Sequence, residues 1–220
     1  MKCVSRVRPS VAVSLDLFGT LVAVDRPSDP AAAVGRELAA RGVPPPGDWE
    51  RAYRERHRQA RAGAEVPLSD HVAAALASRG VDAPAETVDG AVLAAFTRGS
   101  VRTRDGAHAV LAGLAGQCPV GLCSNCSVRG LVDWALAESA LETDVPDAVI
   151  TSVDCGWRKP DRRAFAAVAD ALGVGVPDLV HVGDDPVTDG GVTDAGGEYV
   201  DVRDVALSDL PEVLEGRAWD

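Results

Sequence analysis

Short runs of apolar and β-branched residues recur along the sequence, each bounded by glycine or a polar residue. They cover residues 11–17, 120–124, 148–152, 179–182 and 199–202. Runs of this length and composition are typical of parallel strands buried on both faces. The segments between them have helical patterns, at residues 127–138, 161–172 and 186–195. This alternation predicts an α/β fold with a Rossmann-like parallel sheet covered by helices on both faces.

The segment between the first strand and residue 100 has a different pattern, because it contains only helical periodicity. Helices are predicted at residues 31–41, 49–62, 68–79 and 85–96, separated by breaks rich in glycine and proline. We therefore predict an α-helical cap over residues 25–99, inserted into a core domain of residues 1–24 and 100–220. The cap should lie over the carboxyl edge of the sheet, where open α/β sheets bind ligands.

The charge composition restricts the setting in which the chain works. The net charge is −11, and only Lys2 and Lys159 among the 22 basic residues are lysines. An acidic, lysine-poor surface stays soluble in strong salt, which suggests a halophilic organism. The sequence has no basic run that would track nucleic-acid phosphates, and no apolar run near the roughly 20 residues of a membrane span. Without a recognisable signal segment, we expect a cytoplasmic protein that binds neither nucleic acid nor membranes.

The cysteines do not indicate a disulfide framework, because their number, 5, is odd and no secretory signal accompanies them. Cys123 and Cys126 have the CxxC spacing of metal and redox motifs. No second pair and no suitably spaced histidine accompany them. We expect these thiols to be small buried side chains rather than metal ligands or a redox pair.

Polar residues follow several of the predicted strands. Asp16 ends the first run, Ser124 and Asn125 end the second, Lys159 lies in RKPD, and Asp184 and Asp189 lie in GDDPVTD. Each residue alone has an ordinary structural explanation: a turn residue, a helix cap, a surface charge, or acids at a helix start. In a chain that otherwise replaces lysine with arginine, however, the retained Lys159 suggests a role that a guanidinium cannot fill.

These stretches, taken together and in this order, resemble the haloacid dehalogenase superfamily, whose members are mostly phosphatases. The helical insert lies where that family carries its type-1 cap. The resemblance implies that Asp16 attacks phosphorus and forms an aspartyl phosphate. It also implies that Mg²⁺ is held by Asp16, the backbone oxygen of Phe18 and Asp184, with Asp189 supporting the metal or Lys159.

The resemblance also implies roles in catalysis and substrate binding. Lys159 would offset the negative charge around Asp16, and Ser124 would hydrogen-bond the phosphoryl oxygens. Asn125 and Thr20 are further predicted substrate contacts. The expected partner is a small phosphorylated, anionic substrate, and the protein is expected to be a monomer or a homodimer.

Phe18 departs from the phosphatase pattern, which usually has a second aspartate at this position. General acid–base assistance of that kind contributes about 10²- to 10⁴-fold in rate. Dehalogenases of the family carry an aromatic residue there instead. Three interpretations follow: a Mg²⁺-dependent phosphatase without its usual acid, a metal-free 2-haloacid dehalogenase, or a catalytically silent binding module. A phosphonatase is excluded, because the insert has no lysine for a Schiff base.

Charge favours the metal-dependent interpretation. If Asp16, Asp184 and Asp189 converge, Lys159 cannot neutralise all of them. Each unpaired contact between like charges at 4 Å costs about 4 kcal/mol at an effective dielectric constant of 20. The acid pair of GDDPVTD, by the same resemblance, is absent from the dehalogenases.

The missing acid predicts substrates whose leaving groups depart without a proton, such as acyl or aryl phosphates. A cap residue could also replace the acid, with Asp25, Glu50, Glu55, His57 and His71 as candidates. His181 is expected to be packed or hydrogen-bonded in its strand rather than catalytic. Arg26, at the hinge into the insert, could contact an anionic ligand, but we do not expect it to do so. Arg158 is open to either role, as a substrate contact or as a loop anchor.

Overall fold

The structure is a computed structural model that describes residues 11–141 and 144–218. Lys2 and Cys3 lie outside this range. The strands are β1 (Ala12–Leu15), β2 (Val22–Val24), β3 (Val101–Thr103), β4 (Val120–Ser124), β5 (Ala148–Thr151), β6 (Leu179–Gly183) and β7 (Glu198–Asp201). Five of them form a parallel sheet in the order β5-β4-β1-β6-β7. This confirms the predicted Rossmann-like α/β fold.

Helices connect the strands and cover the sheet. They are α1 (Pro30–Ala40), α2 (Trp49–Arg54), α3 (Leu68–Ala77), α4 (Ala85–Phe96), α5 (Ala107–Leu114), α6 (Leu131–Glu138), α7 (Ser152–Cys155), α8 (Arg162–Leu172) and α9 (Leu210–Ala218). Short 3-10 helices occupy Val176–Asp178, Asp189–Val192 and Leu207–Asp209.

The central strand β1 shows how the core is divided, because successive residues of a strand point to opposite faces. Ala12 belongs to an apolar cluster with Phe165 and Leu172 of α8. Val13 belongs to the larger cluster, which contains Leu111 of α5. All four residues of β1 are buried, so the strand lies between helices on both sides. This packing fixes the position of its carboxyl end.

The helices α1 to α4 lie between β2 and β3, which pair as an antiparallel ribbon that the sequence pattern did not predict. Asp29 caps α1 by accepting a hydrogen bond from the Ala32 N–H at 3.0 Å, and Pro30 is its first residue. The Trp49 indole donates to the Ala31 carbonyl at 2.7 Å and ties α2 to α1. The ribbon lies where the predicted core and cap segments join; their division into two domains stays a prediction.

The predicted helix over residues 49–62 is wrong, because α2 ends at Arg54 and Glu55 adopts an extended conformation with ψ of 143°. The chain then crosses to the core, where the Arg158 N–H donates to Gly63 O and the Glu65 N–H to Gly156 O, both at 2.9 Å. A longer helix would forfeit these bonds and would stack Arg54 on Arg58, a like-charge pair four residues apart.

Other predicted boundaries also change. The helix predicted over residues 127–138 begins only at Leu131, after Gly130 in the left-handed conformation. The helix predicted over 186–195 is reduced to the 3-10 turn Asp189–Val192, which contains two glycines, poor helix formers. The helices α5 and α9 were not predicted at all. In the part of the chain that the structure describes, no helix has the length and apolar character needed to cross a membrane.

Candidate active site

The predicted site residues come together at the carboxyl edge of the sheet. Asp16 directly follows β1, and its N–H donates to Val182 O of β6 at 2.8 Å. Ser124 is the last residue of β4, and Asp184 is the first residue after β6. Parallel strands place these ends side by side, so residues distant in sequence meet in one crevice.

The turn after Asp16 depends on glycine. Gly19 has a φ of +98°, a left-handed conformation that favours glycine. A Cβ atom at this position would lie 2.6 Å from Asp184 Oδ2, so the absent side chain leaves room for the carboxylate. Since β1 and β6 already pair side by side, the glycine turn leaves the space that Asp184 needs to approach the Asp16 loop.

Three carboxylates form the centre of the site. Asp16, Asp184 and Asp189 each offer one oxygen, and these atoms lie within 4.8 Å of one another. Asp16 is 6 % exposed and Asp189 is 1 % exposed, so most of this negative charge is withdrawn from water. Buried charges of one sign require a cation or a proton nearby.

Lys159 supplies one such cation. Its side chain is buried, and Nζ lies 2.8 Å from Asp16 Oδ1 and 2.7 Å from Asp189 Oδ1. Nζ also donates to Cys123 O at 2.5 Å, which fixes its place below the crevice. Burial, the largest single effect, would lower the pKa of Lys159, but the negative charges around it, those of Asp16 and Asp189 among them, together raise the pKa above its ordinary value. The ammonium form therefore persists.

One ammonium does not balance three carboxylates, and the pKa of Asp16 reflects this. Burial raises its pKa to about 6; the Lys159 charge opposes the shift and the Asp189 charge adds to it. Burial also acts to raise the pKa of Asp189, but the hydrogen bond from His181 and the Lys159 charge hold it well below its usual range. The cluster therefore retains unbalanced negative charge near neutral pH.

His181 lies in β6 beneath this cluster, packed and hydrogen-bonded as expected. Burial and the Lys159 charge lower its pKa to about 4, so the imidazole is neutral near pH 7. Nδ1 lies 2.8 Å from Ser14 Oγ, and Nε2 lies 3.2 Å from Asp189 Oδ1. We assign the proton to Nε2, because Asp189 can only accept while the Ser14 hydroxyl can donate. His181 therefore positions Asp189, a role that the sequence alone did not indicate.

Ser124 has an unusual environment for a hydroxyl. It is 2 % exposed, and its Oγ is the one buried side-chain polar atom in the described residues without a hydrogen-bond partner. Buried hydroxyls nearly always have a partner, because an unsatisfied one costs about 1–3 kcal/mol. The pairing of β4 with β1 places Ser124 at the same edge of the sheet as Asp16, so its hydroxyl is a candidate hydrogen-bond donor to a ligand at that edge.

The sequence predicts Asn125 and Thr20 as substrate contacts, but in the structure their hydrogen bonds go to other site residues. Asn125 Oδ1 accepts from the Lys159 N–H at 2.8 Å, and Nδ2 donates to Lys159 O at 2.9 Å. Thr20 Oγ1 donates to Asp184 Oδ1 at 3.2 Å. Asn125 thus holds the Lys159 backbone, and Thr20 holds the Asp184 carboxylate.

A cavity of about 130 Å³ adjoins the site at Phe18 and Asn125, and its walls also include Arg26, Phe96, Leu131 and Arg158. The Arg26 guanidinium lies 5.7 Å from the centre of the Phe18 ring, within the range of a cation–π contact. The cavity therefore combines an aromatic wall with cationic groups, next to the loops that follow Asp16 and Ser124.

Residues 63–68 form a strap that ties the helical insert to the core beside this cavity. The Glu65 carboxylate accepts hydrogen bonds from Ser152 Oγ and from Arg158 Nη1, the latter at 3.1 Å. Its side chain is 2 % exposed. The Leu68 N–H donates to Ser127 O at 2.8 Å. Sequence reasoning missed Glu65, because only the folded chain brings it opposite Arg158, which serves here as an anchor.

The candidates for a replacement acid differ in their surroundings. Asp25 pairs with Arg102, Glu50 with Arg54, and Glu55 with Arg79. The His57 and His71 rings each contact a backbone carbonyl through Nε2, at 2.6 Å. His71 also lines a cavity of about 340 Å³ that shares Ser127 and Arg158 with the cavity beside Phe18. His71 is thus the candidate that lines a cavity adjoining the one beside Phe18.

The two thiols of the CxxC pair have separate environments. Cys123 Sγ contacts Ala164 O at 3.8 Å and Cys126 Sγ contacts Val128 O at 3.4 Å, and the residues belong to different apolar clusters. Burial raises the pKa of Cys123 to about 12. Within residues 11–141 and 144–218, the acid cluster is the one group suited to a metal. The thiols are thus small buried side chains, as expected.

Solved structures share this architecture. The chain is similar to a 2-haloacid dehalogenase of Pseudomonas syringae pv. Tomato DC3000, with a TM-score of 0.64 and 23 % identity over 94 % of this chain and 98 % of that one. An L-2-haloacid dehalogenase of Xanthobacter autotrophicus with covalently bound chloropropionic acid has a TM-score of 0.57 and 19 % identity, over 94 % and 99 %. A HAD family enzyme of Bacteroides thetaiotaomicron, in complex with magnesium and inorganic phosphate, has a TM-score of 0.55 and 13 % identity, over 87 % and 93 %. At these identities, the similarity shows the fold.

No curated protein matches the sequence. A family model described as a haloacid dehalogenase-like hydrolase, in contrast, matches residues 11–191. The match covers the strand that carries Asp16, the helical insert and the loop that carries Asp184 and Asp189. The chain therefore belongs to the haloacid dehalogenase-like hydrolases.

Proposed function

We propose that this hydrolase is a Mg²⁺-dependent phosphatase that acts on a small phosphorylated substrate through an aspartyl phosphate on Asp16. The observation that carries the proposal is the convergence of three carboxylate oxygens within 4.8 Å around a single buried ammonium. Such a cluster has a deficit of positive charge. A divalent cation would supply the missing positive charge, and a phosphoryl group bound with it would accept a hydrogen bond from the Ser124 hydroxyl.

The donor set fits Mg²⁺, which takes oxygen ligands and is commonly held by one or two carboxylates together with a substrate phosphate. Asp16 and Asp184 would hold the ion, with the Phe18 backbone oxygen as a further predicted ligand. Asp189 was predicted to support either the metal or Lys159, and its 2.7 Å contact with Nζ favours Lys159. When bound, Mg²⁺ would offset carboxylate charge and polarise the phosphoryl oxygens.

The residues of the chain account for the first chemical step. Lys159 holds Asp16 as a carboxylate, and an Asp16 oxygen attacks phosphorus to form the aspartyl phosphate. The bond from phosphorus to the leaving oxygen breaks, and the leaving group takes the electron pair. The Ser124 hydroxyl donates to a phosphoryl oxygen. Positioning and charge stabilisation of this kind supply most of the catalysis in phosphoryl transfer.

The second step returns the enzyme to its starting state. Water attacks phosphorus, the bond from phosphorus to the Asp16 oxygen breaks, and Asp16 leaves as a carboxylate. The protons of the water stay on the inorganic phosphate or pass to solvent. Phe18 can neither protonate a leaving oxygen in the first step nor accept a proton from this water. We therefore propose substrates with leaving groups that depart as stable anions, such as aryl or acyl phosphates. Sugar phosphates and other alkyl esters would be poor substrates.

A 2-haloacid dehalogenase is the second candidate, favoured by one observation, the phenyl ring of Phe18 beside Asp16. A halide leaves without a proton, so an aromatic residue at this position is compatible with that chemistry. The acid cluster argues against it, because metal-free displacement of a halide has no need of the charge that Asp184 and Asp189 add. A silent binding module would keep the cluster and the cavity but turn over no substrate.

Paired assays separate these functions. We expect p-nitrophenyl phosphate to be hydrolysed with MgCl₂ but not with EDTA, and the activity to be lost in Asp16→Asn but kept in Asp170→Asn, an exposed aspartate on α8. The assays should include multimolar KCl, because the composition predicts a halophilic protein. Halide release from 2-chloropropionate in EDTA would identify the dehalogenase instead. Binding of inorganic phosphate without turnover across a panel of phosphate esters would identify the silent module.

A further inference from the structure

The cavity beside Phe18 sets the size of the group that can lie next to the phosphoryl site. Its volume is about 130 Å³. Cavities of about 150 Å³ with apolar walls hold one benzene ring. Phe18, Phe96 and Leu131 supply an apolar wall of this kind. A single ring, or a chain of similar volume, would therefore fill this cavity.

The two arginines that line this cavity, Arg26 and Arg158, differ in their ion-pair partners. Arg158 is compensated, because its Nη1 lies 3.1 Å from the buried Glu65 carboxylate. Arg26 makes no hydrogen bond or ion pair with any residue that the structure describes; its contact is with the Phe18 ring at 5.7 Å. Arg26 is exposed, and the contact with the ring leaves its N–H donors open to solvent. Arg26 is thus the arginine of the cavity wall that has no acidic partner among the described residues.

The position of Arg26 distinguishes it from the other arginines of the insert. Arg41 and Arg98 pair with Glu37. Arg36, like Arg26, has no acidic partner among the described residues, but only Arg26 of these two lines the cavity. A guanidinium with free donors is suited to a carboxylate or phosphate, which it can bind through two parallel hydrogen bonds. Because Arg26 lines the cavity together with Phe18, an anion that it binds can be part of the substrate.

We propose that Arg26 is a specificity-determining residue that binds a second anionic group on the substrate. This proposal departs from the expectation from sequence that Arg26 does not contact an anionic ligand, and it rests on the proposed phosphatase function. The substrate class is then a phosphate ester or acyl phosphate whose leaving group is about the size of one ring and carries its own negative charge. Phe18 and Phe96 contact the body of that group, and Arg26 binds its charged end.

Two esters that differ in a single charge test this inference: phenyl phosphate and 3-carboxyphenyl phosphate. The kcat/KM of each is measured with MgCl₂ at the lowest KCl concentration that keeps the protein folded, for wild type, Arg26→Gln and Arg26→Lys. We expect wild type to prefer the carboxylated ester at least tenfold. Arg26→Gln should lower kcat/KM for that ester about ten- to hundredfold more than for phenyl phosphate. Arg26→Lys should restore part of the preference.

Arg36→Gln is the matched control, because Arg36 is an exposed arginine of α1 that does not line the cavity. It should leave the preference of wild type unchanged. The inference is overturned if wild type hydrolyses both esters with equal kcat/KM. It is also overturned if the ratio of kcat/KM for 3-carboxyphenyl phosphate to that for phenyl phosphate is the same in Arg26→Gln as in Arg36→Gln. If neither ester is hydrolysed under any condition, the proposed phosphatase function fails, and this inference fails with it.

Discussion

Replacement of Lys159 by methionine removes the ammonium from the acid cluster while keeping a side chain of similar length. Nζ lies 2.8 Å from Asp16 Oδ1 and 2.7 Å from Asp189 Oδ1, and the residue is 2 % exposed. Loss of one partner from a buried ion pair costs about 3–5 kcal/mol. Two carboxylates at the 4.8 Å limit of the cluster repel each other by about 3.5 kcal/mol at an effective dielectric constant of 20. We therefore expect Lys159→Met to lower the free energy of unfolding by about 3–4 kcal/mol in EDTA.

Magnesium should reverse much of this loss, because a variant without the ammonium has more negative charge to offer the ion. We expect the dissociation constant of Mg²⁺ to fall at least tenfold relative to wild type, which corresponds to about 1.4 kcal/mol. An ion present at a thousand times its dissociation constant stabilises the folded state by about 4 kcal/mol. Saturating MgCl₂ should thus bring the stability of Lys159→Met close to that of wild type in EDTA. At equal, saturating MgCl₂ it should narrow the gap between the two proteins by about 1.4 kcal/mol, without restoring activity.

Urea unfolding, followed by tryptophan fluorescence with EDTA and with increasing MgCl₂, measures both effects. Arg36→Met, which removes an exposed cation of α1, should change stability by no more than about 0.5 kcal/mol and leave Mg²⁺ affinity unchanged. The reasoning is refuted if Lys159→Met loses less than about 1 kcal/mol in EDTA. It is equally refuted if Mg²⁺ stabilises the variant no more than it stabilises wild type.

Further predictions follow from the other residues of the site and its surroundings. Phe18→Asp should raise kcat/KM for alkyl phosphates about 10²- to 10⁴-fold, while Phe18→Asn, which cannot donate a proton, should not. Because burial raises the pKa of Cys123 to about 12, its reactive thiolate is scarce below about pH 10. Iodoacetamide should therefore label Cys123 at pH 7.5 only after unfolding, and rapid labelling of the native protein would contradict this. Glu65→Gln places an amide opposite the Ser152 hydroxyl and the Arg158 guanidinium, so it should lower the free energy of unfolding in urea by about 1–3 kcal/mol. The control Glu50→Gln, at the surface, should lower it by less than about 0.5 kcal/mol. Equal effects of these two glutamate variants would show that the strap does not stabilise the fold.

The parallel sheet and the meeting of Asp16, Ser124, Lys159 and the two acids were readable from sequence, because both depend on local patterns. Buried parallel strands form short apolar runs, and the residue that follows each run must lie at the same edge. The resemblance to a known family then supplied the pairing of Lys159 with that edge. The contacts of Nζ with Asp16 and Asp189 agree with this expectation.

Features that depend on tertiary contacts were not readable in this way. Residues 55–62 have helical periodicity, but the pairing of Gly63 and Glu65 with the loop before Lys159 ends the helix at Arg54. His181 looks like any polar residue in a strand until its register with Ser14 and its contact with Asp189 are known. Asn125 likewise looks like any polar residue after a strand until its amide is seen to hydrogen-bond the backbone of Lys159, 34 positions away.

The central claim is that Asp16 carries the phosphoryl group during turnover, and mass spectrometry of the quenched enzyme tests it directly. The protein is mixed with p-nitrophenyl phosphate and MgCl₂, quenched in acid within the first turnover, and digested for peptide masses. The account predicts one added phosphoryl group on the peptide that contains Asp16, and none in Asp16→Asn. Release of p-nitrophenol with no phosphoryl group on Asp16 at any quench time would contradict it.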